Sequence, residues 1–343
     1  MKVGPIRFSR MKLHLELDDR LPLTRPSGTL PMNLVGPTCW SAAAVGSDGR
    51  PRPHSSAALP DSGAEIASLG GPWNLPRIRS FLLCAALAVI ALACVASAQE
   101  TQRPTLWLIG DSTVRNGTAG NGAGGLWGWG DMLAPHFDTN KLRVANRALG
   151  GRSSRSFLTE GLWDKVLADV KPGDFVMIQF GHNAGGERFK GTRPRASLRG
   201  NGEETEEGVV EQTGKAETVH TFGWYLRRYV SDAKAKGATP IVCSLISRND
   251  WKDGKVLRAS ASHGKWAKEA AAAGGAAFID LNELIASRYE PLGQEMVTKE
   301  FFVSEHTHTS KAGAQFNAAV VAEAVRELKD CKLKDFLAPA VKP

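Results

Sequence analysis

The sequence predicts an α/β protein built on a parallel sheet covered on both faces. Three observations predict it. Short, near-continuous apolar runs recur between residues 105 and 280. Helix-length amphipathic stretches separate them. Residues able to do chemistry stand just after several of the runs, at the strand ends where such sheets hold ligands.

The first hundred residues lie outside this pattern. More than half of the 18 prolines fall within residues 1–76, and no apolar periodicity accompanies them. This segment is expected to be disordered and to derive from wrongly chosen upstream translation. Arg77 and Arg79 then precede the apolar run Phe81–Val95 and the small-residue triplet Ala96-Ser97-Ala98. That order reads as a signal peptide over residues 77–98, shorter than the ~20 residues of a bilayer span. The expected mature chain is one domain, residues 99–343. It would be periplasmic or extracellular, with no membrane contact after cleavage.

Within that domain the first strand is Thr105–Ile109, ending at Gly110. Leu142–Ala145 is the second. Asp174–Phe180 is the third, introduced by the turn Lys171-Pro172-Gly173. Thr239–Leu245 is the fourth and Ala276–Asp280 the fifth. Helices are expected over Glu160–Val170, Glu217–Lys236, Ser260–Ala273, Leu281–Tyr289 and Lys311–Lys329. Residues 184–216 show no apolar periodicity and read as a loop inserted at the ligand edge. Its glutamates Glu203, Glu204, Glu206 and Glu207 read as a solvated face.

Composition removes several classes. The 343 residues are 42% hydrophobic and 23% charged, which excludes a collagen, a disordered tail protein and a polytopic membrane protein. Five cysteines are too few for a disulfide scaffold. Cys243, inside an apolar run, reads as a buried free thiol. The net charge of +8 contains no Lys/Arg run, so no nucleic-acid partner is expected.

The post-strand residues are a serine in Gly110-Asp111-Ser112-Thr113, a glycine pair in Gly150-Gly151-Arg152, and an amide in Gly181-His182-Asn183. A late Glu305-His306-Thr307-His308 precedes the last helix. A serine, a histidine with a carboxylate and several neutral donors are the parts of an acyl-transfer site. The serine alone could equally cap a helix. His306 and His308 lack the cysteines or helical HExxH that would make them a zinc pair, so no metal is expected. Trp127 and Trp129 are expected on an aromatic substrate rim, with two core-packed tryptophans as the plain alternative. Arg152 is expected to hold a substrate carboxylate. Arg155 reads rather as a structural ion pair.

These blocks resemble the SGNH (GDSL-type) hydrolases: GDST after the first strand, GGRSS after the second, GHN after the third, then E-x-x-H. Within them, NRALGGRSSRSF, IQFGHN, HTFGWYLRRYV and HTHTSKAGA are similar to the rhamnogalacturonan acetylesterase family, a likeness spanning residues 103–330. The resemblance implies a flavodoxin-like three-layer α/β/α sandwich with a central five-stranded parallel sheet. It implies Ser112 as nucleophile, His308 as general base and Glu305 as the acid that orients it. It implies an oxyanion hole from the N–H groups of Ser112 and Gly151 and the side-chain amide of Asn183. His182 is assigned with Arg152, Trp127 and Trp129 to substrate binding. The implied activity is removal of O-acetyl groups from pectic rhamnogalacturonan, through an acetyl-serine and without cofactor. The partner is then an acetylated polysaccharide or oligosaccharide. Acetylated xylan or another ester is an alternative substrate, and a non-catalytic glycan-binding protein an alternative function. Two positions depart from the family pattern: Ala184 replaces the aspartate of G-x-N-D, and Glu305 stands where the family has aspartate.

Overall fold

The computed structural model describes residues 103–116 and 122–339. The segments 1–76 and 77–98 discussed above lie outside the described residues.

Five short apolar strands pair in parallel: β1 (Thr105–Gly110), β2 (Arg143–Asn146), β3 (Phe175–Gln179), β6 (Thr239–Cys243) and β9 (Ala277–Ile279). Their spatial order is β2-β1-β3-β6-β9. The chain therefore reverses its winding direction between β1 and β3, the crevice where doubly wound sheets bind ligands. Trp107 faces Val176 and Ile109 faces Ile178 across that pair.

Alternation along the strands divides the core into two layers. Leu106, Leu108, Phe175, Met177 and Ile241 pack on one face. There they meet α5 (Leu281–Tyr289), α6 (Gln294–Phe301) and α7 (Lys311–Glu327). Trp107, Ile109, Val176, Ile178 and Val242 pack on the other face. There they meet α1 (Ser154–Thr159), α2 (Leu162–Asp169), α3 (Phe222–Ala235) and α4 (His263–Gly274). The arrangement is the three-layer α/β/α sandwich. Cys243 and Cys331 are buried free thiols. No helix among the described residues is long and apolar enough to cross a membrane.

The helix expected over Glu160–Val170 is α2, and a short helix that was not expected, α1, precedes it across Gly161 in left-handed backbone (φ 68°). Two expectations about elements need correction. The loop over 184–216 contains strand β4 (Thr205–Val210), which pairs antiparallel with β5 (Lys215–His220). Consequently the helix expected from Glu217 begins only at Phe222, after Thr221 caps it by accepting from the Trp224 N–H. The physical reason is shared. Each hairpin strand fully buries only one of its residues, so its period-two signal is carried largely by Thr, Glu and Lys rather than by apolar side chains. A second small hairpin, β7 (Trp251–Lys252) with β8 (Lys255–Val256), gave no apolar signal either.

Candidate active site

Ser112 follows β1 in a tight turn whose shape several buried groups enforce. At Gly110 an added Cβ would lie 2.5 Å from both the Gln179 carbonyl and Val114 Cγ2, so no side chain fits there. Asp111 is fully buried, and its Oδ1 accepts from the Thr113 N–H at 3.0 Å and the Thr113 hydroxyl at 2.7 Å. Gln179, at the end of β3, donates to Thr113 Oγ1 at 2.9 Å and accepts from the Trp129 indole N–H at 2.8 Å. A polar chain thus ties the adjacent strand end to the serine turn. Every link is buried, where leaving one donor unpaired costs about 1–3 kcal/mol.

His308 arrives from the loop before α7. The Ser310 hydroxyl caps that helix by accepting from the Gly313 N–H at 3.1 Å. The Trp127 N–H donates to the Thr309 carbonyl at 2.8 Å, and the Thr309 hydroxyl donates back to the Trp127 carbonyl at 3.0 Å. With the loop so clamped, His308 Nε2 lies 2.7 Å from Ser112 Oγ, and Nδ1 lies 2.7 Å from Glu305 Oε1. The carboxylate favours the proton on Nδ1, leaving the Nε2 lone pair to accept from the serine hydroxyl.

Glu305 also accepts from two backbone donors, the Thr307 N–H at 2.7 Å and the His308 N–H. Partial burial pushes its carboxyl up, but the two N–H bonds and His308 outweigh that and hold it below the ordinary glutamate range. It therefore stays ionised beside the imidazole. His306 points elsewhere, its Nδ1 lying 2.5 Å from Asp250 Oδ1. Among the described residues no three His, Cys, Asp or Glu side chains converge as a metal site.

Ser112, Gly151, Asn183 and His308 share the wall of one cavity of about 1000 Å³. Gly151 has φ 80°, which presents the backbone of the loop after β2 in a conformation that L side chains rarely adopt. Ser153 caps α1 just beyond it through a reciprocal capping box with Ser156. One Asn183 amide N–H donates to the Arg152 carbonyl at 3.0 Å, which fixes the side chain and leaves its second N–H for a ligand.

The proposed substrate-binding residues fare differently. Trp129 is only 1% exposed and packs in the core, so it is no part of a rim. Its indole N–H belongs to the Gln179 chain instead. Trp127 is half-buried and serves the Thr309 clamp, while its neighbour Leu126 lines the cavity. His182 faces a separate cavity of about 340 Å³, where its Nδ1 accepts from Arg248 Nε at 3.3 Å. Burial lowers the His182 imidazole to about 4 and keeps it neutral. Arg152 does line the main cavity, but its Nε is paired with Glu160 at 2.9 Å. Arg155 is 1% exposed and pairs with Glu217 of β5 at 2.6 Å. Ala184 is buried at 3% exposure and packs against the α1–α4 side of the core, a place an aspartate could not occupy without a partner.

Sequence reasoning missed part of the cavity lining. Arg193, Pro194, Arg195, Gln212, Thr213 and Lys215 supply it from the inserted segment. The Gln212-Thr213-Gly214 turn between two alternating stretches was the available signal. Gln179, a lone amide closing an apolar strand, was the available signal for the buried polar chain.

The model of the GDSL-like lipase/acylhydrolase family matches residues 108–316. The chain is 33% identical to the rhamnogalacturonan acetylesterase of Emericella nidulans over 236 residues, covering 69% of this chain and 90% of the relative. It is 30% identical over 227 residues to a Bacillus subtilis protein named Probable rhamnogalacturonan acetylesterase YesY, covering 65% of this chain and 93% of the relative. The solved structure of protein YxiM from Bacillus subtilis superposes with a TM-score of 0.54 at 25% identity, over 66% of this chain and 57% of that one.

Proposed function

The chain belongs to the GDSL-like lipase/acylhydrolase family, and from that premise we propose that it is a carbohydrate acetylesterase acting on pectic rhamnogalacturonan. The observation that carries the reading is the Ser112–His308–Glu305 relay, two contacts of 2.7 Å on the edge of a carbohydrate-sized cavity. The names of the Emericella nidulans and Bacillus subtilis relatives support the substrate class.

In this reading Ser112 Oγ attacks the acetyl carbonyl carbon while His308 Nε2 takes its proton. The carbonyl oxygen becomes an oxyanion, held by the Ser112 and Gly151 N–H groups and by Asn183. Such donors act in a site where water no longer competes, and each is worth ~10²–10³ in turnover. The tetrahedral centre collapses, the ester C–O bond breaks, and His308 returns the proton to the sugar oxygen. Water then attacks the acetyl-serine by the same route, and acetate leaves. Glu305 stays an anion throughout and stabilises the imidazolium that forms twice per cycle. Export through the apolar segment Phe81–Val95 completes the proposal, since a polymer of this size is met outside the cytoplasm. N-terminal sequencing of the natural product tests it: a start near Gln99 is expected, and a start before residue 75 would refute it.

The test of the chemistry uses 4-nitrophenyl acetate and acetylated polysaccharides. The parent protein is expected to hydrolyse the aryl ester and to release acetate from acetylated rhamnogalacturonan faster than from acetylated xylan. Ser112→Ala is expected to abolish both. Equal rates for variant and parent would remove Ser112 from the mechanism, and faster release from xylan would reassign the substrate.

A further inference from the structure

Among the described residues, the main cavity is lined by more cations than carboxylates. Its two glutamates are already committed, Glu160 to Arg152 at 2.9 Å and Glu217 to the buried Arg155 at 2.6 Å. Among the described residues, Arg193, Arg195 and Lys215 on the same wall have no carboxylate within 4.0 Å. Cations that line one cavity repel one another unless an anion joins them. Burial, then the neighbouring Arg193, push the Arg195 guanidinium below its ordinary value, with buried Asp111 acting the other way.

Arg195 stands nearest the chemistry. Its Nη1 donates to the Gly151 carbonyl at 2.6 Å. Its own carbonyl accepts from the Ser153 hydroxyl at 2.6 Å. Backbone and side chain are thus both clipped to the loop that presents the Gly151 N–H. Among the described residues the remaining guanidinium donors, on Nε and Nη2, have no partner, and Arg195 lines the cavity. A planar fork with free N–H groups, oriented by a fixed carbonyl, is suited to a bidentate oxygen acid, which on a polysaccharide substrate is a carboxylate.

We propose that Arg195 reads a carboxylate carried by the substrate beside the scissile acetyl ester, with Arg193 and Lys215 supplying the surrounding field. The proposal rests on the polysaccharide reading above and deepens it. The chain selects uronic-acid polymers, and it does so through the inserted wall rather than through Arg152. Arg195 is at the same time a positioning residue for Gly151, so a bound carboxylate steadies the loop that holds the oxyanion.

The test compares acetate release from acetylated rhamnogalacturonan with release from the same polymer after its carboxyl groups are methyl-esterified. The parent protein is expected to favour the acidic polymer in kcat/KM by about tenfold or more, the range of one hydrogen-bonded charge contact. Arg195→Gln should bring that ratio near one, and Arg195→Lys, which keeps charge but loses the fork, should leave an intermediate ratio. The ratio cancels any loss common to both polymers, including displacement of Gly151. On 4-nitrophenyl acetate, Arg195→Gln should lower kcat while changing KM little. The pair Arg193→Gln with Lys215→Gln should lower the ratio by raising KM for the acidic polymer. A parent ratio near one, or an unchanged ratio in Arg195→Gln, would overturn the proposal while leaving the esterase reading in place. If Arg195→Gln does not fold, the ratio of Arg195→Lys decides in the same way. Hydrolysis of the aryl ester with no acetate from either polymer would overturn the polysaccharide reading and this proposal with it.

Discussion

Glu305 illustrates how a side chain one methylene longer than the family's aspartate is absorbed. Its carboxylate folds back onto the N–H groups of Thr307 and His308, and one oxygen still meets His308 Nδ1 at 2.7 Å. Backbone donors hold it, so the longer stem brings no freedom to wander. Glu305→Gln should cut kcat on 4-nitrophenyl acetate by about 10²–10⁴, because the amide favours the wrong imidazole tautomer. His306→Ala should cost less than about tenfold, since that ring is paired with Asp250 and away from the serine. A comparable loss in both variants would show that the relay runs differently. Gly151→Ala should lower kcat by about 10²-fold. Its φ of 80° resists a side chain, and the new Cβ would stand 3.4 Å from Arg195 Nη1. Thermal melting of this variant separates a displaced oxyanion donor from a general loss of fold.

Among the elements, the β4–β5 hairpin decides the shape of the cavity. It is attached to the sandwich by Arg155, which reaches from α1 to Glu217 on β5 and to the carbonyls of Arg188 and Ala196 at 2.8 Å each. Glu217→Ala would leave a buried guanidinium without its carboxylate, at a cost of about 3 kcal/mol. Urea denaturation should show that loss as a lower midpoint. The same variant should raise KM for the polymer while sparing KM for 4-nitrophenyl acetate, since the wall loosens but the relay does not. An unchanged midpoint would mean that the hairpin is held by its other contacts. Outward-facing strands explain why this element was invisible in the sequence. Buried strands announce themselves by apolar residues, whereas a strand that packs through ion pairs reads as a polar loop.

At the scale of the whole molecule, the strand order places the ends of β1 and β3 at one crevice, so residues 71 positions apart meet there: Ser112 after β1 and Asn183 after β3. Histidines buried around that sheet also give the fold a pH dependence. Burial lowers His182 and His263 to about 4 from an ordinary value of 6.5. The unfolded chain therefore binds protons on these groups that the folded chain refuses. Stability is full above pH ~6.5 and is lost as pH falls toward 4. Asp131, pushed up by burial to about 6, acts in the opposite sense between its ordinary 3.8 and 6, one group against these two and against His136 and His220, which burial also lowers. The melting temperature should thus be lower at pH 5 than at pH 7.5, and His263→Gln should narrow the gap. A higher melting temperature at pH 5 would place the acid-sensitive groups elsewhere.

The sequence by itself determined the five strands of the sheet to within two residues, the start of the last helix, and the residue types available for acyl transfer. These are local properties, set by apolar period, turn chemistry and capping within a few residues. Only the tertiary structure decided that Ser112, His308 and Glu305 lie within hydrogen-bonding reach, that Trp129 is core, and that Arg152 is neutralised by Glu160 while Arg195 is not. Each of those facts depends on which distant segment packs alongside. A polar side chain carries no local mark of whether its partner will be a carboxylate, a carbonyl or open space.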